Sequence, residues 1–248
     1  WTVDHGFRVR LAAKMNPDGG TTLVVRDEAE SGWRTLISYG PEDALTSGPV
    51  GFTPDDKGLF IISSSGSNTG ELREMELATG REKTLASDDA ADVADAVIHP
   101  TKHTVQAVAF TKERTSWKVL DPSIAEDFAA IGKIRNGDFH LMNRDHADQT
   151  WLLSFEPDDG PGYYYAYDRS TKKGEVLFTN RKALEGLTLA KMKPIRFKAR
   201  DGLTVRGYLA APPGIEAKDL PMVLTVHGGP WSRDTWGYDG EVQWLSNR

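Results

Sequence analysis

The chain has 248 residues, 39% of them hydrophobic and 27% charged, with a formal net charge of −6 and a mean hydropathy of −0.46. This composition is that of a soluble globular protein, and no stretch approaches the ~18 consecutive apolar residues of a membrane span. The acidic balance argues against a nucleic-acid partner, and the absence of cysteine excludes disulfides, thiolate zinc sites and a thiol nucleophile. The compartment stays open, since cytosolic and periplasmic proteins can both lack cysteine.

Residues 7 to about 180 have the pattern of an all-β protein. Clusters of Pro, Gly, Asn and Asp recur at 16–20, 53–58, 99–103 and 156–162. Short runs rich in β-branched and aromatic residues lie between them and predict strands. One helix is predicted, over 122–134, because a proline opens it, acidic residues follow and a glycine lies near its end.

The strand pattern repeats at a fixed interval. Phe52 and Ile98 end similar strands before similar turns, 46 residues apart, and the similar hairpin segments ending at Leu85 and Leu177 are 92 residues apart, two such steps. A period of about 40–50 residues with several short strands in each unit predicts a β-propeller, of which roughly four blades fit before residue 180. A β-sandwich with even spacing is the alternative.

The pattern changes after residue 180. Asp201 and Gly202 predict a hairpin turn between two strands within 195–214. The run 222–228 is almost continuously apolar, which predicts a central strand buried on both faces of an α/β sheet, and a helix is predicted at 240–248. A domain boundary is therefore expected near residue 185.

The apolar run ends in His227, Gly228 and Gly229, followed by Pro230. Two glycines allow a sharp turn after a strand, and the backbone N–H groups of Gly228, Gly229 and Trp231 could then point into open space, whereas proline has no N–H. Preorganised N–H groups of this kind stabilise the oxyanion that develops in acyl transfer. A simple tight turn is the alternative interpretation.

The stretches "MKPIRFKARDGLTVRGYLAAPPG" and "LPMVLTVHGGPWSRDTWGYDGEVQWLSNR" resemble the opening of the catalytic domain of the prolyl oligopeptidase family of serine peptidases (S9). The resemblance is greatest to the bacterial dipeptidyl-peptidase and acylaminoacyl-peptidase branch. It implies a mostly β chain: a partial β-propeller over 1–184, incomplete at its N-terminus, followed over 185–248 by the N-terminal strands of a truncated α/β-hydrolase domain. It implies no cofactor and no metal.

The resemblance also implies roles for single residues. Gly229 would supply a backbone N–H to the oxyanion, and Gly228 and His227 would shape the oxyanion loop, with the part played by the His227 imidazole left open. Trp231 and Trp236 would line the substrate cleft. Arg233 and Asp234 would brace it.

The family's nucleophile lies in a Gly-x-Ser-x-Gly elbow, downstream of the oxyanion loop. Among the 248 residues only Gly66 and Gly70 stand four apart within a serine-rich stretch, and Asn68 is between them. The resemblance therefore implies part of a serine-type peptidase acting on short peptides, whose triad lies elsewhere and whose present chain alone would be inactive. An esterase on the same scaffold and a non-catalytic propeller binding module are the alternatives, and the oligomeric state stays open.

Two other features could indicate metal binding. His99 and His103 have an H-x-x-x-H spacing, but Pro100 and the flanking strands predict a turn rather than the helix such a zinc site requires. The acidic run 87–95 lacks the ligand spacing of a calcium-binding loop, which predicts a solvent-exposed loop between blades.

Overall fold

The computed structural model describes residues 1–28, 30–229 and 231–247. These residues form seventeen strands and two short α-helices. The strand pairs whose residue register is defined are antiparallel. None of the helices in these ranges is long and apolar enough to cross a membrane.

Four small sheets follow one another along the chain, and in each the strands neighbour one another in sequence order. The first contains β1 (Thr2–Val3), β2 (Val9–Met15), β3 (Thr21–Val25) and β4 (Arg34–Tyr39), and the second contains β5 (Gly48–Phe52), β6 (Gly58–Ser63), β7 (Glu71–Glu76) and β8 (Glu82–Ala86). The third contains β9 (Val93–Ile98), β10 (Val105–Thr111) and β11 (Thr115–Val119), and the fourth contains β12 (Asp138–Arg144), β13 (Thr150–Glu156), β14 (Tyr163–Asp168) and β15 (Lys173–Thr179). Meandering sheets repeated at this interval are propeller blades, which confirms the predicted fold class.

The first turn of every blade has the same construction. Its first residue caps the turn by accepting backbone N–H groups on its own side chain; these residues are Asp4, Thr53, His99 and Asp145. A later residue of each turn adopts a left-handed backbone with φ between 53° and 58°; these residues are Phe7, Asp56, His103 and Asp148. The 46-residue repeat therefore reflects a recurring turn whose capping side chain varies in chemistry.

The third blade differs from the others. In the described residues it has three strands, and the chain between β11 and β12 forms a 3₁₀ turn (Pro122–Ile124) followed by helix α1 (Ala125–Ile131). The predicted helix is thus confirmed, and it ends at Gly132, whose N–H bonds to the carbonyl of Phe128.

The chain divides into two compact units, residues 1–112 with 117–122, and residues 113–116 with 123–248. In the first unit, one buried cluster joins the first two blades and comprises Leu11, Leu23, Val25, Tyr39, Phe52, Leu59, Ile61, Met75 and Leu77. In the second unit, Trp151 is fully buried, with Phe128 and Tyr167 within about 6 Å of its ring. The boundary expected near residue 185 concerns a change of domain type and stays a prediction.

Three turns of the first unit meet at a pair of stacked histidines. The rings of His5 and His103 have centroids 3.6 Å apart, and His5 Nδ1 lies 2.8 Å from the Asp56 carboxylate. Arg10 also donates to the backbone carbonyl of Asp56. Burial, and then the neighbouring His5, lower the pKa of His103 below its usual value.

This lowered pKa predicts a pH dependence of stability. In the unfolded chain His103 becomes protonated at about pH 6.5, whereas in the folded chain it stays neutral until the pH reaches its lowered pKa. Protonation therefore favours the unfolded chain, and the free energy of unfolding should fall as the pH drops below about 6.5. His103→Asn, which tolerates the left-handed backbone, should flatten this slope, measured by denaturant unfolding between pH 7.5 and 5.5. His146→Asn alters an exposed histidine and should retain it. Equal slopes for the two variants would contradict the assignment.

After the blades, a 3₁₀ turn (Lys182–Leu184) leads to the hairpin of β16 (Met192–Lys198) and β17 (Thr204–Ala210). Asp201 and Gly202 form its turn as predicted, with φ +87° at the glycine. The last element is helix α2 (Gly240–Ser246), which confirms the predicted C-terminal helix; Asp239 caps it by accepting the N–H of Val242.

Candidate functional site

The segment between β17 and α2 carries the predicted oxyanion loop. Residues 211–229 and 231–239 contain neither strand nor helix, and Met222 and Leu224 are 79% and 78% exposed. The prediction of a buried strand over 222–228 is therefore wrong. Such a strand is buried when it has paired neighbours and cover on both faces, whereas the described residues pair only in antiparallel meanders and a hairpin, so among them the run has neither a ladder nor a cover.

Glycine geometry shapes the oxyanion loop itself. Gly229 has φ +155°, and a Cβ added there would lie 3.0 Å from the backbone nitrogen of Trp231. A Cβ at Gly228 would meet nothing within 4 Å, and His227 Nδ1 donates to the Gly228 carbonyl at 2.7 Å. Pro230 lies outside the described residues. The loop is exposed, and a residue with a side chain would be strained at Gly229.

The two tryptophans predicted to line the cleft have different surroundings. Trp231 is 80% exposed, whereas Trp236 is 7% exposed and donates its indole N–H to the backbone carbonyl of Met192 at 2.7 Å. Between them, Arg233 Nε donates to the backbone carbonyl of Asp234 at 3.2 Å. The structure thus brings Trp236 into the folded unit, and the substrate contacts expected of both tryptophans stay predictions.

Gln243 on α2 is a second anchor, which sequence reasoning missed. Its side-chain oxygen accepts the N–H of Ala190 at 2.8 Å, and its side-chain nitrogen donates to the carbonyls of Ala190 and Asp158 at 2.7 and 3.1 Å. Gln243 is 5% exposed, so this amide is buried with both of its functions used. No local pattern signals such a role, because the partners lie 53 and 85 residues away.

Met192, at the start of β16, joins these contacts. Met192 is opposite Ala210 in the β16–β17 pairing, and its carbonyl accepts the indole N–H of Trp236. Its own N–H donates to the buried Asp158 carboxylate at 2.6 Å. The hairpin thus ends at Ala210, which is opposite Met192, and the chain comes back to the same residue through the hydrogen bond of Trp236. Residues 211–229 and 231–235, which include His227, Gly228 and Gly229, therefore lie between two attachments that meet at Met192.

A further contact reaches Trp236 from the turn between β10 and β11. The guanidinium of Arg114 lies 3.3 Å from the centroid of the Trp236 ring, a cation–π contact. Arg114 Nε also donates to Asp138 at 2.7 Å, and the N–H of Thr115 donates to the same carboxylate. Trp236 is therefore held on its face as well as at its edge.

The same turn binds the hairpin. Arg196 and Arg206 both contact the Glu113 carboxylate, and the Tyr208 hydroxyl donates to the Glu113 carbonyl at 2.8 Å. The hydrogen bond from Arg196 lowers the pKa of Glu113, so this carboxylate stays charged at neutral pH.

The described part of the chain shows no group of three or more His, Asp or Glu side chains placed to hold a metal. His99 lies in a turn, where Nδ1 accepts the backbone N–H groups of Thr101 and Lys102. This ring nitrogen therefore caps the turn and has no lone pair left for a metal.

Comparison with known proteins extends over the whole chain. The sequence is 36% identical to Dipeptidyl aminopeptidase BIII of Pseudoxanthomonas mexicana over 100% of this chain, and 26% identical to Dipeptidyl peptidase family member 6 of Caenorhabditis elegans over 99% of it. The chain spans 37% of the length of each of these relatives. No family model matches the chain.

Solved structures agree on the fold. A crystal structure of puromycin hydrolase superimposes with a TM-score of 0.68 at 18% identity, covering 99% of this chain and 39% of that one. The blades and this neighbour define a β-propeller fold. The identity to the dipeptidyl aminopeptidase, which extends over the whole chain, supports membership of the prolyl oligopeptidase family of peptidases (S9).

Proposed function

We propose that the chain is part of a serine-type peptidase that hydrolyses short peptides by acyl transfer, and that it supplies propeller blades and half of the oxyanion hole. The observation that carries the proposal is the His-Gly-Gly loop, exposed and shaped by glycine, in a chain 36% identical throughout to a dipeptidyl aminopeptidase.

In this proposal the backbone N–H of Gly229 donates to the carbonyl oxygen of the scissile bond as that oxygen becomes negative. A serine outside these residues attacks the carbonyl carbon, a histidine accepts the serine proton and returns it to the leaving amine, and water then hydrolyses the acyl-enzyme. Only the first of these groups belongs to the present chain. Gly228 and His227 shape the loop, and Trp231 and Trp236 contribute to the substrate cleft.

The longer protein that carries this chain should therefore release p-nitroaniline from short peptide p-nitroanilides. The same scaffold and donor would also serve an esterase, because neither encodes the leaving group. Comparing kcat/KM for a dipeptide p-nitroanilide and for the p-nitrophenyl ester of a short fatty acid separates the two. We expect efficient anilide turnover, and hydrolysis of the ester alone would contradict the peptidase proposal.

A further inference from the structure

We infer that Gln243 and Trp236 are positioning residues for the oxyanion loop, acting through the backbone at Ala190 and Met192; this rests on the function proposed above. Among the described residues after Ala210, only these two are buried. Both direct their polar atoms at the stretch from Ala190 to Met192. The two residues lie seven positions apart, one on each side of the start of α2. Together they attach this part of the chain to the stretch from Ala190 to Met192.

This attachment determines what the loop can do. Residues 211–229 and 231–235 have no strand or helix of their own, and the apolar side chains of 222–226 are exposed, so packing within the loop does not fix Gly229. At its first end the loop is held by the β16–β17 ladder. At its second end it is held by Trp236 and Gln243. Release of the second end would remove the attachment of this segment to Ala190 and Met192.

Asp158 connects the attachment to the fourth blade. Asp158 lies just after β13 and is 4% exposed. Its carboxylate accepts the N–H of Met192, and its backbone carbonyl accepts the side-chain N–H of Gln243. A donor in an oxyanion hole must be held to a fraction of an ångström, since a 1 Å misplacement can cost about 100-fold in rate. The contacts of Trp236, Gln243 and Asp158 supply this restraint from the blade.

The amide of Gln243 offers a sharp substitution. Gln243→Glu keeps the size of the side chain but turns the nitrogen that donates to two carbonyls into an acceptor. We expect kcat on a dipeptide p-nitroanilide to fall about 10- to 100-fold with KM little changed, because donor placement matters most in the transition state. Hydrogen exchange of residues 211–235 should increase in the same variant. Gln149→Glu makes the same chemical change at an exposed position and should behave as wild type.

A purely structural role would lower the melting temperature without changing kcat per folded molecule, so kcat is measured well below the melting temperature. If Gln243→Glu does not fold, Trp236→Phe is the second test, since it removes the N–H donated to Met192 together with part of the indole and keeps an aromatic ring beneath Arg114. Wild-type kcat or unchanged exchange of 211–235 in the folded variant would overturn the inference. An inactive wild-type protein would instead contradict the proposed function itself.

Discussion

Under the function proposed above, replacing Gly229 with proline in the longer protein is expected to lower kcat about 10²- to 10³-fold, the effect of removing one oxyanion donor. Proline has no N–H, and a backbone donor can be removed in no simpler way by substitution. Gly229 lies in an exposed loop outside every strand and helix, so the blades should unfold at the same denaturant concentration as in the wild type. The measurement is steady-state kinetics on a dipeptide p-nitroanilide, with unfolding followed in parallel.

Gly229→Ala is the control for this prediction. Alanine keeps the N–H but is strained at φ +155°, with its Cβ close to the nitrogen of Trp231. Its own loss of activity measures the effect of a side chain on the loop, and the further loss in Gly229→Pro combines the missing donor with the φ of about −65° that proline imposes. Equal kcat values for the two variants would show that the N–H of Gly229 does not act in the reaction.

Replacing Asp127 with alanine is expected to lower the free energy of unfolding by about 3 kcal/mol, the low end for removing one partner of a buried ion pair. Asp127 is fully buried on α1, where it accepts the Tyr167 hydroxyl at 3.0 Å and pairs with Arg169 and Lys172. Without it the buried Tyr167 hydroxyl loses its acceptor, and the partly exposed Arg169 and Lys172 each lose an ion-pair partner. For a chain of this size the loss corresponds to a fall of about 6 to 12 °C in Tm.

Glu126→Ala is the matched control, because Glu126 precedes Asp127 on the same helix and is exposed. It should change the free energy of unfolding by no more than about 0.5 kcal/mol. Unfolding is followed by tryptophan fluorescence, to which the buried Trp151 contributes; its indole donates to Asp148 in the same cluster. A similarly small effect in both variants would mean that the ion pairs of Asp127 contribute no net stability.

The parts of the fold that local chemistry determines could be predicted from sequence. Turn residues, β-rich runs and the 46-residue repeat predicted the succession of blades, and Asp201 with Gly202 predicted the hairpin. The repeat is visible because every blade begins with the same turn. The identity of the capping residue could not be predicted, since aspartate, threonine and histidine all accept a backbone N–H there.

The parts that depend on distant partners could not be predicted. Residues 222–228 have the composition of a central strand, but composition does not supply the neighbours that would bury it. The contacts of Gln243 with Ala190 and Asp158 join residues far apart in the chain, and a lone glutamine in a short helix reads as a surface residue. The glycine loop was recognised from its motif, whereas its attachment to Met192 emerged only in three dimensions.

Covalent labelling of the longer protein with a fluorophosphonate, followed by mass spectrometry of its peptides, tests the proposed serine mechanism. We predict one modified serine per molecule, located outside residues 1–248, with complete loss of dipeptide p-nitroanilide hydrolysis. Labelling of a serine within this chain, such as one among residues 63–67, would contradict the account, as would peptide hydrolysis that persists without any labelled serine.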